Sequence, residues 1–379
     1  MLKIILASLF IPLWLHSVEP TSLPAPYTPS ADNQLLTLGA SKTPRFVLQE
    51  MTWPTEPGKA EICLWQDDKY AACSITIDDN NKPDHAWWLN ICAKHGIKVT
   101  FFIITGGIDG QNKGYNGTWD DWRAIRSAGH DVQSHSITHG SSDDTAPPEK
   151  ITLEYAGSKQ AIESNLSGHR CLTLAYPYGK GQPNLAAGYY IAVRGTTGTP
   201  SAANQINYLN TSLGSLDPDQ INAILGRPAT VIKWLNNPSF RRGWIQPLYH
   251  LVAHGTTAEE KQANVAQVEA QIANLIAQRE LIWIDTFTTV AKYGQERDSA
   301  TLTTTARTLE RIELALTDRM RDDVFDQALT LKVRVLDEWK SVTASQNNST
   351  LPVRLVQHEG HSYALVQAVP DRGAIVLKP

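Results

Sequence analysis

Two short stretches carry the residue types that hydrolytic chemistry needs. "SITIDDN" sets Asp78 and Asp79 at the end of an apolar run, just before the turn-forming Asn80-Asn81-Lys82-Pro83. "DVQSHSITHG" sets His135 and His139 four residues apart after another short run. One carboxylate and two imidazoles make a three-ligand site of zinc type with a position left open for water. A metal held there would bring that water towards a neutral pKa and polarise a carbonyl, leaving the second carboxylate free to act as base. A general acid for the leaving group is available in "WIQPLYHLVAHG", as His250 where the apolar run ends or as His254 slightly later. Each motif also has a bland reading. An aspartate pair caps turns and helices, and an isolated H-x-x-x-H is a weak signal. In a regular strand Asp78 and Asp79 would face opposite sides, so they share a site only if the strand stops there. The two histidines share a side if their loop makes a single helical turn.

The elements that must position these residues follow from periodicity. "EICLWQDDKYAACSITIDD" gives two short apolar runs around Gln66-Asp67-Asp68-Lys69 and predicts a hairpin whose second run leads into Asp78. "HAWWLNICAKHG" predicts a helix stopped by Gly96, and "IKVTFFIIT" a buried strand. "GTWDDWRAIRSAGH" predicts a second helix, followed by the strand "DVQSH". "HRCLTLAYPYG", "GYYIAVRG", "GWIQPLYH" and "LIWIDTF" predict further strands, and Val265, Val268, Ile272, Leu275 and Ile276 form a helical stripe. This alternation argues an α/β fold with a parallel sheet, either a β/α barrel or an open doubly wound sheet, whose active sites lie at the carboxyl ends of strands. Both candidate pairs fall at such ends. Trp87 and Trp88 are expected to pack on the sheet, whereas Trp119 and Trp122 either line a sugar groove or cap a core. After about Arg297 the pattern turns to period two, at Ile312, Leu314 and Leu316 and at Leu329, Leu331, Val333 and Val335, which predicts a small all-β domain.

The bulk numbers narrow the class. In 379 residues, 42% hydrophobic and 19% charged composition is that of a globular protein, and a net charge of -4 gives no electrostatic reason to expect nucleic acid. "MLKIILASLFIPLWLHSVEP" has one Lys before an apolar run too short to span a bilayer, the shape of a secretory signal peptide over 1–17. A Pro-, Ser- and Thr-rich arm over 18–58 follows, then a catalytic domain over 59–297 and the β domain over 298–379. The protein is therefore expected to be secreted or periplasmic, without integral membrane association. Cys63, Cys73, Cys92 and Cys171 contain no C-x-x-C pair, so either bridges or buried free thiols are open to them.

The ordered set of an Asp-Asp pair, His-x-x-x-His, Tyr-Pro-Tyr-Gly and a late strand ending in His resembles the polysaccharide deacetylase family over roughly Glu61 to Tyr293. Members include chitin, peptidoglycan and poly-N-acetylglucosamine deacetylases and acetylxylan esterases. The resemblance implies an irregular (β/α)7-type barrel, a divalent metal (most simply Zn2+, with Co2+, Ni2+ or Mn2+ as alternatives) and an acetylated polysaccharide or oligosaccharide as substrate. By the same resemblance Asp78 is the base that activates water, and Asp79, His135 and His139 are the metal ligands. The backbone N–H of Tyr178 helps hold the oxyanion, and His250 is the general acid. Two positions depart from the pattern: Asn80 stands where many members have Gly, and Ala175 where many have the Arg that pairs with the base. Arg194, at the end of the next strand, is the stand-in for that Arg, and Asp217 is a loose candidate for the fourth motif. The implied function is acetyl removal, with N-deacetylation favoured. The alternatives are an O-acetyl esterase or an inactive carbohydrate-binding protein on the same fold. If the C-terminal domain binds glycan, its removal should weaken polymer binding and spare turnover of small substrates.

Overall fold

The computed structural model describes residues 23–26, 51–140, 143–203 and 205–379; the signal-peptide run and most of the arm lie outside them. After β1 (Ala60–Ile62) come β2 (Ala71–Cys73), β3 (Thr76–Asp78), α1 (His85–His95), β4 (Thr100–Ile103), α2 (Lys113–Asn116), α3 (Trp119–Ser127) and β5 (Asp131–Ser134). Then follow α4 (Pro148–Asn165), β6 (Thr173–Ala175), α5 (Pro183–Ala186), β7 (Ala192–Arg194) and α6 (Pro218–Ile224). β8 (Trp244–Ile245), β9 (Leu248–Tyr249), α7 (Ala258–Ile276), β10 (Ile282–Ile284) and α8 (Phe287–Ser299) complete the α/β part. Local chemistry marks the helix ends. Thr118 with Asp121 and Thr257 with Glu260 form capping boxes at the starts of α3 and α7, and Gly96 at φ +64 ends α1.

The strands pair in parallel as a six-stranded sheet of order β7-β6-β5-β4-β3-β9 and a three-stranded sheet of order β10-β2-β8. β2 and β3 are two halves of one strand broken at Ser74-Ile75. β8 and β9 are likewise two halves, broken at Gln246-Pro247, where proline has no N–H for the ladder. The hydrogen bonding runs on beyond β7. Val193 N donates to Tyr208 O at 2.7 Å, Thr211 N to Val193 O at 2.9 Å and Gln246 N to Leu213 O at 2.5 Å. Residues 208–213 thereby link β7 to β8 and curl the sheet into an irregular β/α barrel. The strand cores are buried on both faces, as a parallel sheet covered by helices requires: Phe101, Phe102 and Ile103 are within 1% of complete burial. Trp88 and Trp122 are wholly buried in the same core that Trp87 and Trp119 flank, so the two tryptophans after the glycine-rich segment cap a core.

The C-terminal strands β11 (Thr301–Arg307), β12 (Ile312–Thr317), β13 (Leu329–Arg334), β14 (Thr343–Gln346), β15 (Ser349–Thr350), β16 (Val353–His358), β17 (His361–Ala368) and β18 (Ile375–Lys378) form two antiparallel sheets. Their orders are β1-β13-β17-β16 and β11-β12-β18-β14-β15. The first contains β1, so the predicted hairpin does not form: Ala60 pairs with Val333, while Ala71 pairs in parallel with Ile282. The reason lies between the two runs, where Asp67 and Asp68 are left-handed at φ 56 and 57 and the Asp68 carboxylate is held by buried Lys332 at 2.7 Å. Nor is 297/298 a packing boundary. One hydrophobic core joins Phe102, Trp244 and Phe287 of the barrel to Leu314, Leu331, Val333 and Val366 of the sheets. Fully buried Arg297 donates to Leu64 O at 2.8 Å and Ala203 O at 3.0 Å. Removing residues after 298 would strip this core, so small-substrate turnover would not be spared.

Glu296 lies in that seam, fully buried, with both carboxylate oxygens close to Gln327 N. Burial first, and then Asp318, push its carboxyl up to about 9. A raised acid takes up its proton on folding. Its contribution is complete below the ordinary value of 4.5 and fades as pH rises through about 9. The thermal midpoint should therefore fall from pH 5 to pH 9, and Glu296→Gln should flatten that slope. An identical slope in the variant would assign the pH dependence to other groups.

Candidate active site

At Asp78 the β3 ladder to β4 and β9 ends, and the next three residues turn left-handed: Asp79 at φ 63, Asn80 at 61 and Asn81 at 37. This break puts two consecutive carboxylates on one side, which a continuing strand forbids. Three non-glycine residues in that region cost roughly 1–2 kcal/mol each and need outside support. Asn80 supplies much of it. Its side chain accepts from Ile104 N at 2.8 Å and donates to Ile104 O at 3.1 Å and Asn116 O at 3.3 Å. Asn81 Nδ2 donates back to Asp78 O, and His85 Nε2 donates to Asn80 O at 2.7 Å. Burial lowers the pKa of His85, consistent with a neutral ring. Asn and Gly share a tolerance of positive φ, which accounts for Asn80 at a position where the resembling family prefers Gly.

Of the two forms open to the histidine segment, a loop or a single helical turn, it takes the loop. His135 follows β5 directly, Ser136 and His139 are left-handed at φ 65 and 56, and these bends bring the two rings to 4.6 Å between centroids. Glu154, buried on α4, holds the bends by accepting from Ile137 N at 2.8 Å, Thr138 N at 2.9 Å and the Thr138 hydroxyl at 2.7 Å. His135 Nδ1 donates to Ala175 O at 2.8 Å, which leaves Nε2 as the free ring nitrogen, and burial lowers this ring's pKa. Asp79 Oδ1 then lies 3.6 Å from His135 Nε2 and 3.5 Å from His139 Nε2.

Asp78 is 3% exposed and Arg194 is 0% exposed, and the Arg194 guanidinium donates to Asp78 Oδ2. Ala175 and Arg194 are register partners on neighbouring strands. The arginine thus sits one strand across from the family's usual position and meets the same carboxylate. Phe102 packs 5.3 Å from its guanidinium carbon. His250, whose side chain is 54% exposed, brings Nε2 to 3.5 Å from Asp79 Oδ2. Asp78, Asp79, His135, His139, His250 and Tyr178 line one cavity of about 570 Å³, together with Tyr115, Tyr176, Thr196, Leu248 and Ile104. Tyr178 is left-handed at φ 53, with its ring 60% exposed and against His139 at 4.6 Å.

Two candidates lie elsewhere. His254 faces Asn264, whose Nδ2 is 3.0 Å from its Nδ1, and does not line the cavity. Asp217 caps α6 by accepting from Asp219 N at 2.8 Å, because Pro218 opens that helix and favours a capping carboxylate before it. All four cysteines are buried free thiols. Sequence reasoning did not find Glu154, Asn81 or Tyr115. Each acts through a contact at long or unpatterned spacing, and only the φ-tolerant Asn-Asn pair was a signal.

The donor set fits a divalent cation. One ligand atom each from Asp79, His135 and His139 all lie within 4.8 Å of one another, and buried Asp79 Oδ1 has no hydrogen-bond partner. Acceptor atoms converging in this way repel unless a cation or proton lies between them. Glu154→Ala, which releases the histidine bends without touching a ligand, is expected to weaken zinc affinity about 10–100-fold, as read by chelator competition.

A parallel β/α barrel with a two-histidine, one-carboxylate centre at the strand ends, and a second carboxylate that is 3.5 Å from His135 Nε2 and ion-paired to Arg194, defines a hydrolase-type site. Residues 66–190 match the model of the polysaccharide deacetylase family, and that segment belongs to it; Arg194 and His250 lie beyond the match. A gellan lyase from Bacillus sp. is 37% identical over 342 residues, which is 86% of this chain and 14% of that protein. The chain thus spans about one-seventh of the curated relative it matches. Among solved structures, the Streptococcus pyogenes deacetylase PplD in complex with acetate is 25% identical, with 37% of this chain and 62% of that chain covered at a TM-score of 0.34. The Xyl-CE4 domain of a multidomain xylanase from the Trinervitermes trinervoides hindgut metagenome is 20% identical, with 58% and 88% covered at 0.37. The pseudoenzyme BA3943 from Bacillus anthracis is 18% identical, with 59% and 66% covered at 0.36.

Proposed function

We propose that this chain is an exported, metal-dependent hydrolase that removes acetyl groups from a carbohydrate, N-acetyl groups by preference. The observation that carries the reading is the division of labour between the two carboxylates. Asp79 reaches both histidines, whereas Asp78 Oδ2, 3.5 Å from His135 Nε2, is engaged by the Arg194 guanidinium and leaves Oδ1 unpartnered. Asp79, His135 and His139 would hold the ion, zinc by ligand type, although this set also accepts cobalt, nickel or manganese. When bound, it would polarise the acetyl carbonyl and make water a better nucleophile. Asp78 takes the proton of the attacking water, its other oxygen fixed by Arg194. The Tyr178 N–H is assigned to the developing oxyanion. His250, whose Nε2 lies 3.5 Å from Asp79 Oδ2, gives a proton to the departing amine or alcohol. Export rests on the N-terminal apolar run.

The test is acetate release by the purified chain from N-acetylated and O-acetylated glycans and from gellan, the polymer named in the Bacillus relative, after chelation and after zinc is restored. Release that is lost on chelation and regained with zinc supports the reading, and the preferred glycan names the acetyl linkage. Zinc binding without release from any substrate would make the chain a binding protein. New unsaturated sugar ends from gellan, without acetate, would make it a lyase.

A further inference from the structure

Between β4 and α3 the chain makes an excursion over residues 105–117 that contains Gly106, Gly107, Gly110, Gly114 and Gly117. A segment so rich in glycine has little conformational preference of its own. Yet its two ends meet at one side chain. Asn80 binds Ile104 N and O at the start of the excursion and Asn116 O near its end, using both N–H groups and the carbonyl of its amide. The same end is tied a second time, because the Tyr115 hydroxyl lies 2.7 Å from Asn81 Oδ1. Ile104 and Tyr115 line the cavity that holds Asp79 and the histidines. The residue after the carboxylate pair, where glycine would satisfy the backbone equally well, therefore builds a wall of the site.

The direction of the hydrogen bonds gives that wall a chemical preference. Asp78 O is a carbonyl and can only accept, so Asn81 turns Nδ2 towards it and Oδ1 away. Oδ1 also only accepts, so the Tyr115 hydroxyl must donate to it. With its proton engaged there, the phenol oxygen has only lone pairs left for the cavity. Burial and then Asp79 raise the pKa of Tyr115, so it stays a neutral phenol.

We propose that Asn80 and Tyr115 form a substrate-selecting wall in which Tyr115 accepts a hydrogen bond from a hydroxyl or acetamido N–H of the sugar that bears the acetyl group. This rests on the deacetylase reading. Tyr115 is a specificity residue and Asn80 a positioning residue, and a sugar that presents an anionic oxygen at this point is disfavoured.

The test compares Tyr115→Phe and Asn80→Gly with the unmutated protein on two substrates, an N-acetylglucosamine oligosaccharide and p-nitrophenyl acetate, with zinc affinity measured alongside. Glycine keeps the left-handed backbone at position 80 while losing the amide, and phenylalanine keeps the ring. Both variants should raise KM for the oligosaccharide roughly fivefold more than for the aryl ester, the worth of a hydrogen bond of average strength, and Tyr115→Phe, which keeps the Asn80 amide, should hold zinc affinity within about twofold. Equal losses on the two substrates would overturn the wall and leave the deacetylase reading standing. An unmutated protein that binds zinc but cleaves neither substrate would overturn both.

Discussion

Asp78→Asn is expected to lower acetate release by about 10²–10⁴-fold, the range over which a positioned general base contributes, while zinc affinity changes little. The amide keeps the shape of the carboxylate, and its oxygen still accepts from the Arg194 guanidinium, so the fold should survive. What is lost is the basic oxygen beside the cluster, Oδ1, which has no other partner. Steady-state acetate assays with chelator competition on the same preparation separate the possibilities. Turnover above a tenth of the unmutated value would place the base elsewhere. Simultaneous loss of zinc would make Asp78 a ligand and free Asp79 for proton transfer.

Arg194→Leu should damage stability more than any other single change at the site. Arg194 and Asp78 are both buried, and truncating one partner of a buried pair leaves the other charge without compensation, at about 3–5 kcal/mol. Chemical denaturation measures this directly. Adding Asp78→Asn to Arg194→Leu should recover part of the lost stability, since residues in contact are not additive. A single variant within 1 kcal/mol of the unmutated protein (about the precision of such measurements) would mean that the pair is not closed in solution.

Much of this site was legible because its parts obey period and position. Buried runs such as "IKVTFFIIT" read as strands, and the chemistry-bearing residues fall where those runs stop. Arg194 was legible for the same reason: a charge at the end of an apolar run needs a partner, and Ala175, directly across the ladder, could not be the arginine. Other features depend on contacts that no local pattern reports. The hairpin at 61–78 looked sound by alternation, but a strand's partner is decided by the whole fold, and β1 found β13 instead. The tight bends at Ser136 and His139 bring the histidines together at a spacing that suggested a helical turn, because Glu154 on a later helix satisfies the backbone there. The C-terminal strands were recognisable as strands. That they share a core with the barrel was not, since alternation reports a buried face without naming what covers it.

The pairing of Ala60 with Val333 has a consequence for the birth of the molecule. Translation at about 5–20 residues per second puts roughly 15–55 s between the appearance of one residue and the other, so β1 must wait for its neighbour. During that interval Ile62 and Leu64 lack the C-terminal residues of the core they share, and so do Phe102 and Trp244 of the barrel. The barrel and sheets should therefore lock together late and as one unit.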